Sequence, residues 1–577
     1  MKCSKLIINK RFFNIISVVF FMSVMNMLYM HYQILNTVGL EFYFAKTSCL
    51  DNFLAVLLDV TVIFSISLLL TWGRMKTSVL LTFFITLFLS FANVFYSRFF
   101  GQYLSLSAVG QAGNLNDKVV IMSMLSELRV YDLYYISSIA VLLIVIWIYR
   151  KNVTSKGQLQ FLGILWTVII ILVVATHSIY LYKDSYSRAI QTLFPSRSFC
   201  SPYPNWTAFH KGLFRAIVVD NLFSQDRRTM LTDEQLRAIS EDYQNHVFRK
   251  TTHVIDERIQ NVIFIIVESY LSVTSDLFVD GKEITPNLNR LKRDSTVYYN
   301  GQMQSNAKIG KSSDGQLIYM TGLLPLRSGI TVSYAKEDSL VGLPQQLIDN
   351  RIVKHTQVLV PTSPSFWEQS SMNQVYGFQK MYAKYDDEEN YDGEDLADEK
   401  MFDFAKKLDS RLPPSSFSML VTLSMHEPYD SPIEHGFSLN DESLPLRFRN
   451  YLVACHYFDQ QIGKYIDHLK TVGLYDNSLI VITADHNINP VFIGVEGDKY
   501  ERLPLYIING NIDSSTAWTG DCNQLDVYTT ILDILGVDCE WRGLGHTLLT
   551  QDYVNSVTEQ TWDISEWIIL GDFFRKQ

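Results

Sequence analysis

The chain is poor in cysteine and has no excess of positive charge, and both shortages exclude functions. Its six cysteines (Cys3, Cys49, Cys200, Cys455, Cys522, Cys539) form no CxxC pair and no zinc-ligand spacing, which removes a cysteine-built metal site. Cys522 and Cys539 are placed to pair across a short C-terminal segment if that segment is exported, and equally to stay buried and free. A net charge of −10 lacks the basic footprint that nucleic-acid binding requires. Phosphate-bearing substrates stay compatible with it, because a bound metal supplies local positive charge. No internal repeat and no low-complexity tract appears. At 577 residues the chain exceeds one compact domain and predicts two or three units.

What is present is strongly uneven. Five stretches near the N-terminus are long and apolar enough to cross a bilayer, which takes about 20 helical residues: Phe12–Tyr29, Phe53–Trp72, Ser78–Tyr96, Leu133–Tyr149 and Phe161–Tyr182. The first lacks a small-residue cleavage site and is followed by four more, so it reads as a retained helix rather than a signal peptide. Lys2, Lys5, Lys10, Arg11, Arg74, Lys76, Arg150, Lys151 and Lys156 lie on one side, against Lys46, Arg98, Lys118 and Arg129 on the other. This asymmetry predicts a cytoplasmic N-terminus, and five crossings put everything after Tyr182 outside. Asp59 lies within the second span, where an ionisable residue is costly; it is either functional or hydrogen-bonded to a neighbouring helix. Residues 184–257 form a polar connector with an amphipathic patch at Asp233–Phe248, expected to pack on the membrane or on the following domain.

From residue 258 to 550, strand-like runs alternate with helical ones such as Phe402–Leu408 and Phe448–Val472, the pattern of βαβ units and a mainly parallel sheet. Residues 551–577 are set apart as a tail, and the acidic stretch Asp386–Glu399 reads as a solvated loop. Three β-branched apolar runs end on residues that can hold a metal or move a proton. Asn261–Val267 (NVIFIIV) stops at Glu268, Ser418–Met425 (SMLVTLSM) at His426, and Ser478–Ala484 (SLIVITA) at Asp485–His486. Such runs read as strands buried on both faces. Ligands of open α/β sheets bind at the carboxyl ends of the strands, so these side chains are expected on one rim.

Between the first two of these runs lies Gly310-Lys311-Ser312-Ser313-Asp314-Gly315. It is not a Walker loop, because the spaced upstream glycine is missing. A hydroxyl at a helix N-terminus lies near backbone N–H groups that favour anions. Beside a divalent metal held by Glu268, Asp485 and His486, the Ser312 oxygen ionises more easily and can attack phosphorus. Each residue also has a plainer role: a helix-capping turn, a sheet-end salt bridge for Glu268, a buried turn histidine for His426. The adjacent pair Asp485–His486 is harder to assign to packing.

In this order, behind five membrane helices, these residues resemble the lipoteichoic acid synthase family, within the sulfatase and alkaline-phosphatase-like superfamily of extracytoplasmic phosphotransferases. Thr285-Pro286-Asn287-Leu288, Ser365-Phe366-Trp367, Tyr376-Gly377-Phe378, His426-Glu427-Pro428-Tyr429, Gln524-Leu525-Asp526, Leu535-Gly536 and Gly545-His546-Thr547-Leu548 extend the resemblance. It implies a five-helix transmembrane domain (1–183) and an extracytoplasmic sulfatase-like α/β domain (258–550) in the bacterial inner membrane. It further implies one divalent metal, Mn²⁺ before Mg²⁺ or Zn²⁺, held by Glu268, Ser312, Asp485 and His486. Ser312 would be the nucleophile, where the family usually has threonine. Lys311 would offset phosphoryl charge, and His426, Trp367 and Gln369 would face the headgroup. The implied reaction moves a phosphoglycerol-type headgroup from a phospholipid donor to a glycan or glycolipid acceptor through phospho-Ser312. Phosphoethanolamine transfer to a glycan or lipid A is the nearest alternative, then ester hydrolysis, then a non-catalytic receptor. Formylglycine sulfatases need Cys/Ser-x-Pro-x-Arg, which Ser312-Ser313-Asp314-Gly315-Gln316 lacks. The headgroup positions depart from the family, with Gln369 for an arginine and Val360 and Thr362 for a polar His and Asp.

Overall fold

A computed structural model describes residues 10–38, 48–100, 103–104, 128–148, short pieces between 208 and 217, and 230–576 without 246–252, 254–255, 328, 384–397 and 428. The chain divides into two compact units, one within the first 226 residues and one running from Arg227 to Gln577.

The first unit contains α1 (Lys10–Val38), α2 (Ser48–Leu70), α3 (Met75–Phe100) and α4 (Leu133–Ile148). Four spans, Ile16–Leu35, Asn52–Leu70, Met75–Arg98 and Val130–Trp147, are long and apolar enough to cross a membrane. The fifth predicted span, Phe161–Tyr182, lies outside the described residues. Asp59 of α2 is fully buried and accepts from Arg215 Nε at 2.8 Å and from the Phe214 N–H at 2.8 Å. These bonds are the hydrogen-bonded alternative for that residue, with partners on Phe214 and Arg215.

The second unit is built on eight strands: β1 (Asn261–Val267), β2 (Val297–Gln304), β3 (His355–Leu359), β4 (Lys380–Tyr382), β5 (Ser416–Val421), β6 (Ser478–Ala484), β7 (Arg502–Ile508) and β8 (Cys522–Asn523). Their order is β8-β2-β7-β6-β1-β5-β3-β4. All neighbours are parallel except β7, which runs antiparallel to both β2 and β6. β1 and β6 are buried along their whole length, as their uninterrupted apolar runs require when helices cover both faces. β1 sits at the centre with β6 and β5 on either side, pairing Val267 with Ala484 and Ile266 with Val421. The three strands whose ends carry the candidate residues are therefore adjacent.

Two expectations need correction. The run ending at His426 leaves the sheet at Val421 and turns before reaching the histidine. The cause is Asp398, whose buried carboxylate accepts the Leu423 and Ser424 N–H groups at 2.9 and 3.0 Å and withdraws them from the ladder. Of the stretch Asp386–Glu399 read as a solvated loop, residues 386–397 lie outside the described residues, while Asp398 is buried and opens a helix, Asp398–Asp409. Of the two readings of Cys522 and Cys539, the unpaired one holds: both are free thiols, Cys522 buried and Cys539 half-buried. The end of the chain, residues 551–577, contains the helix Glu559–Gly571. Arg327 grips it through Asp563 and Glu566 at 2.7 and 3.1 Å, and Ser565 donates to the Leu324 carbonyl. The connector helix Asp233–Asn245 packs against the same element.

Candidate active site

Glu268 follows β1 directly, Asp485 and His486 follow β6, and Ser312 is the first residue of α5 (Ser312–Thr321) in the catalytic unit. The structure brings these four together. Ser312 Oγ donates to Glu268 Oε2 at 3.1 Å and lies 3.4 Å from His486 Nε2. His486 Nε2 is 3.4 Å from Glu268 Oε1 and 3.7 Å from Asp485 Oδ2. One ligand atom from each of Glu268, Asp485 and His486 falls within 4.8 Å of the others.

Gly315 makes this approach possible. A Cβ there would lie 2.8 Å from the Asp485 carbonyl carbon and Cα, and closer still to its oxygen, so only glycine lets the first turn of α5 rest on the strand end. Asp314 shapes the preceding loop, its Oδ2 accepting from the Lys308 and Gly310 N–H groups at 2.9 Å each. Backbone strain gathers here. Ser269, Lys311, Trp367 and Glu368 all have φ near +50° without being glycine, conformations that cost about 1–3 kcal/mol each and persist where surrounding contacts enforce them.

The polar contacts orient each ligand atom. Ser269 Oγ donates to Glu268 Oε1 at 2.8 Å. The N–H groups of Ser269 and His486 both donate to Asp485 Oδ1 at 2.8 Å. His486 Nδ1 donates to the Asn487 carbonyl at 2.8 Å, which leaves Nε2 as the nitrogen facing the carboxylates. Gln524 holds the strand end in place by donating to the Asp485 carbonyl at 2.7 Å. After these bonds, Asp485 Oδ2 is buried and accepts no hydrogen bond.

The charges are mutually perturbed. Burial opposes ionisation of Glu268, but hydrogen bonding and charge from His486, with the charge of His426, outweigh it and hold the carboxyl well below its usual range. Burial and then the Glu268 carboxylate push Asp485 up to about 7. Burial disfavours the His486 cation, yet the Asp485 and Glu268 carboxylates raise it to about 9. Two carboxylates and an imidazole packed this closely need shared protons or a shared cation. An unpartnered Asp485 oxygen, a directed imidazole nitrogen and a mixed O/N donor set fit a divalent metal.

His426 is half-buried, with Nδ1 2.5 Å from the Glu427 carbonyl, and its charge reaches Glu268. Lys311 is half-buried and its charge reaches His486. Trp367 is buried in a 3-10 turn, Phe366–Glu368. Gln369 is buried and spends its amide on Gln316 Oε1 at 2.7 Å, one helical turn beyond Ser312. Ser269, Thr422 (whose hydroxyl accepts from the Glu268 N–H at 3.1 Å), Asp314 and Asp398 were not found by sequence reasoning. Thr422 and Asp398 act on backbone groups 154 and 25–26 residues away, while Ser269 and Asp314 act on close neighbours in the chain through residue types common in any turn.

Residues 260–537 match the sulfatase family. Lipoteichoic acid synthase 2 of Bacillus subtilis is 26% identical over 513 residues, covering 83% of this chain and 75% of its own length. The lipoteichoic acid synthase of Staphylococcus saprophyticus is 24% identical over 515 residues, covering 83% and 76%. Among solved structures, the integral membrane lipooligosaccharide phosphoethanolamine transferase A of Neisseria meningitidis superposes with a TM-score of 0.49 at 13% identity, over 90% of this chain and 95% of that one.

Proposed function

We infer that this chain, a phosphotransferase of the sulfatase superfamily related to the lipoteichoic acid synthases, moves a phosphoglycerol-type headgroup from a phospholipid to an acceptor hydroxyl on a glycan or glycolipid. The observation that carries this reading is the Ser312 hydroxyl at a helix start, bonded to Glu268 and facing His486.

In the first step Ser312 Oγ attacks the donor phosphorus, the bond from phosphorus to the lipid oxygen breaks, and diacylglycerol leaves. Ser312 gives its proton to solvent water, and the leaving oxygen takes one from His426, which stands at the edge of the site and is left neutral. The hydrogen bond to Glu268 fixes the hydroxyl so that an oxygen lone pair faces the phosphorus. In the second step the acceptor hydroxyl attacks phospho-Ser312 and gives its proton to His426, the bond from phosphorus to Ser312 Oγ breaks, and Ser312 regains a proton from solvent water. Lys311 offsets charge on the phosphoryl oxygens, and Trp367 walls the headgroup side. Glu268, Asp485, His486 and Ser312 would hold a divalent ion, Mn²⁺ in first place, which neutralises developing phosphoryl charge. The lysine and arginine asymmetry of the apolar helices supports a cytoplasmic N-terminus and an outward catalytic domain.

Ser312→Ala in the full-length chain tests the reading. It is expected to fold normally and release no diacylglycerol from labelled phosphatidylglycerol, while the wild type yields a phosphoglycerol adduct on Ser312 by mass analysis. Retained release would refute the nucleophile. Gln369, turned to Gln316 where the synthases carry arginine, leaves the headgroup contact open to a smaller cationic group, so phosphatidylethanolamine belongs in the same assay.

A further inference from the structure

We propose that Tyr451 is a positioning residue of the active site, whose hydroxyl fixes the turn after β1 so that Glu268 and Asp485 face the same ion. For its catalytic consequence this rests on the phosphotransferase reading above. For its effect on ion binding it rests on the placement of the two carboxylates alone.

Tyr451 lies in the second turn of the long helix Leu446–Thr471, 182 residues beyond Ser269 in the chain, and is fully buried. Its oxygen accepts from the Leu271 N–H at 2.9 Å, and its O–H donates to the Ser269 carbonyl at 3.1 Å. Among the described residues no backbone group bonds the Ser269 carbonyl or the Leu271 N–H. A single phenolic oxygen therefore closes a three-residue turn that the backbone leaves open. Phenylalanine would fill the same space beside Tyr429 and Phe448, whose ring centres lie 5.3 and 6.2 Å away. Packing thus accounts for the ring and not for the hydroxyl, which is costly to bury unless it is bonded.

The turn that Tyr451 closes reaches both carboxylates. Ser269 has a φ of 51°, a left-handed conformation that a residue other than glycine keeps only where surrounding contacts enforce it. From that conformation its Oγ donates to Glu268 Oε1 and its N–H to Asp485 Oδ1, at 2.8 Å each. One residue thus ties the end of β1 to the end of β6. Relaxing Ser269 to a negative φ swings the N–H away from Asp485, and the two carboxylates lose their common orientation. Partners that orient ligating groups set ion affinity, and losing one costs about 10–100-fold. The same helix end holds a second segment through separate bonds. Asn450 Nδ2 donates to the Tyr429 carbonyl at 2.7 Å, and the Tyr429 hydroxyl donates to the Met425 carbonyl at 2.6 Å. Neither bond involves Ser269, so Asn450 supplies a control.

Tyr451→Phe and Asn450→Ala in the full-length chain, in detergent, make the test. Mn²⁺ binding is followed by the EPR signal of the free ion without turnover, and diacylglycerol release from phosphatidylglycerol is measured at saturating Mn²⁺. Tyr451→Phe is expected to raise the Kd for Mn²⁺ about tenfold or more and to lower kcat. KM for the lipid should stay unchanged, because Lys311 and Trp367 keep their places. Asn450→Ala loses a buried bond from the same helix end and is expected to melt lower, yet to bind Mn²⁺ as wild type does. An unchanged Kd in Tyr451→Phe overturns the proposal. So does an equal rise in both variants, which would show that a loosened helix is enough. Ser269→Ala removes the link one residue nearer the ion and carries the test if Tyr451→Phe does not fold; wild-type Mn²⁺ binding in that variant also overturns it. A wild type that binds Mn²⁺ and releases no diacylglycerol ends the phosphotransferase reading, while the Kd comparison still decides Tyr451. A wild type that binds no Mn²⁺ removes the ion site and the proposal with it.

Discussion

Gly315→Ala sets two physical arguments against each other. In an ordinary helix, alanine is better than glycine by about 0.5–1 kcal/mol, so local propensity predicts a more stable protein. At position 315 the added Cβ would lie 2.8 Å from two carbons of the Asp485 backbone, about 0.7 Å inside the usual carbon–carbon optimum. Asp485 cannot retreat easily, since Gln524 holds its carbonyl and two N–H groups hold its carboxylate. The first turn of α5 must therefore move instead. Overpacking of this kind costs about 1–3 kcal/mol, which cancels the propensity gain and leaves a net loss of up to about 2.5 kcal/mol. The same displacement lengthens the 3.1 Å bond from Ser312 to Glu268, and a misplacement approaching 1 Å lowers rates about 10²-fold. Thermal melts and diacylglycerol release from phosphatidylglycerol vesicles measure the two effects. A variant that is more stable and fully active would show that α5 does not depend on this close contact, and the site geometry argued from it would fall.

A divalent ion at about a hundred times its Kd should stabilise the chain by about 2.7 kcal/mol. Asp485→Asn should lose most of that shift in a melting experiment without any turnover; an unchanged shift would move the metal elsewhere. Asp409 is buried 3.6 Å from His468 Nε2, and burial pushes its carboxyl up to about 7. Because that value lies above the unfolded one of about 4, folding favours the protonated acid, so stability falls as pH rises from about 4 to about 7 and stays lower above. Asp409→Asn should flatten that decline and raise Tm by a few degrees at about pH 8 while changing little near pH 4; parallel declines in both proteins would exclude Asp409 as the source.

Much of the sheet was legible because its strands are buried on both faces. NVIFIIV and SLIVITA match the observed β1 and β6 residue for residue, since full burial leaves no polar position to blur the ends. SMLVTLSM misled at its end, because apolar composition continues after the hydrogen bonding has stopped. There the deciding partner is Asp398, which precedes Leu423 by 25 residues and sits in a stretch whose acidity suggests solvent. The antiparallel β7 had no signal either, for strand direction depends on the route of the connections and not on the strand's own letters.

The site shows the same division at finer scale. Glu268, Ser312, Asp485 and His486 were visible as residue types at strand and helix ends, because the sheet itself carries them to one rim. The features that hold them in register were not. A positive φ at Lys311 or Trp367 follows from how neighbouring segments trap the backbone, and neither side chain advertises it. Gly315 was visible as a letter and its purpose was not, since the atom it makes room for lies 170 residues away in the chain. A reaction type can therefore be proposed from the side chains able to hold a metal, which chemistry restricts to a few residue types. Gln369 depends on such longer-range placement: read alone it is a lost arginine, and in the fold it is a brace between Trp367's turn and the helix that Ser312 opens.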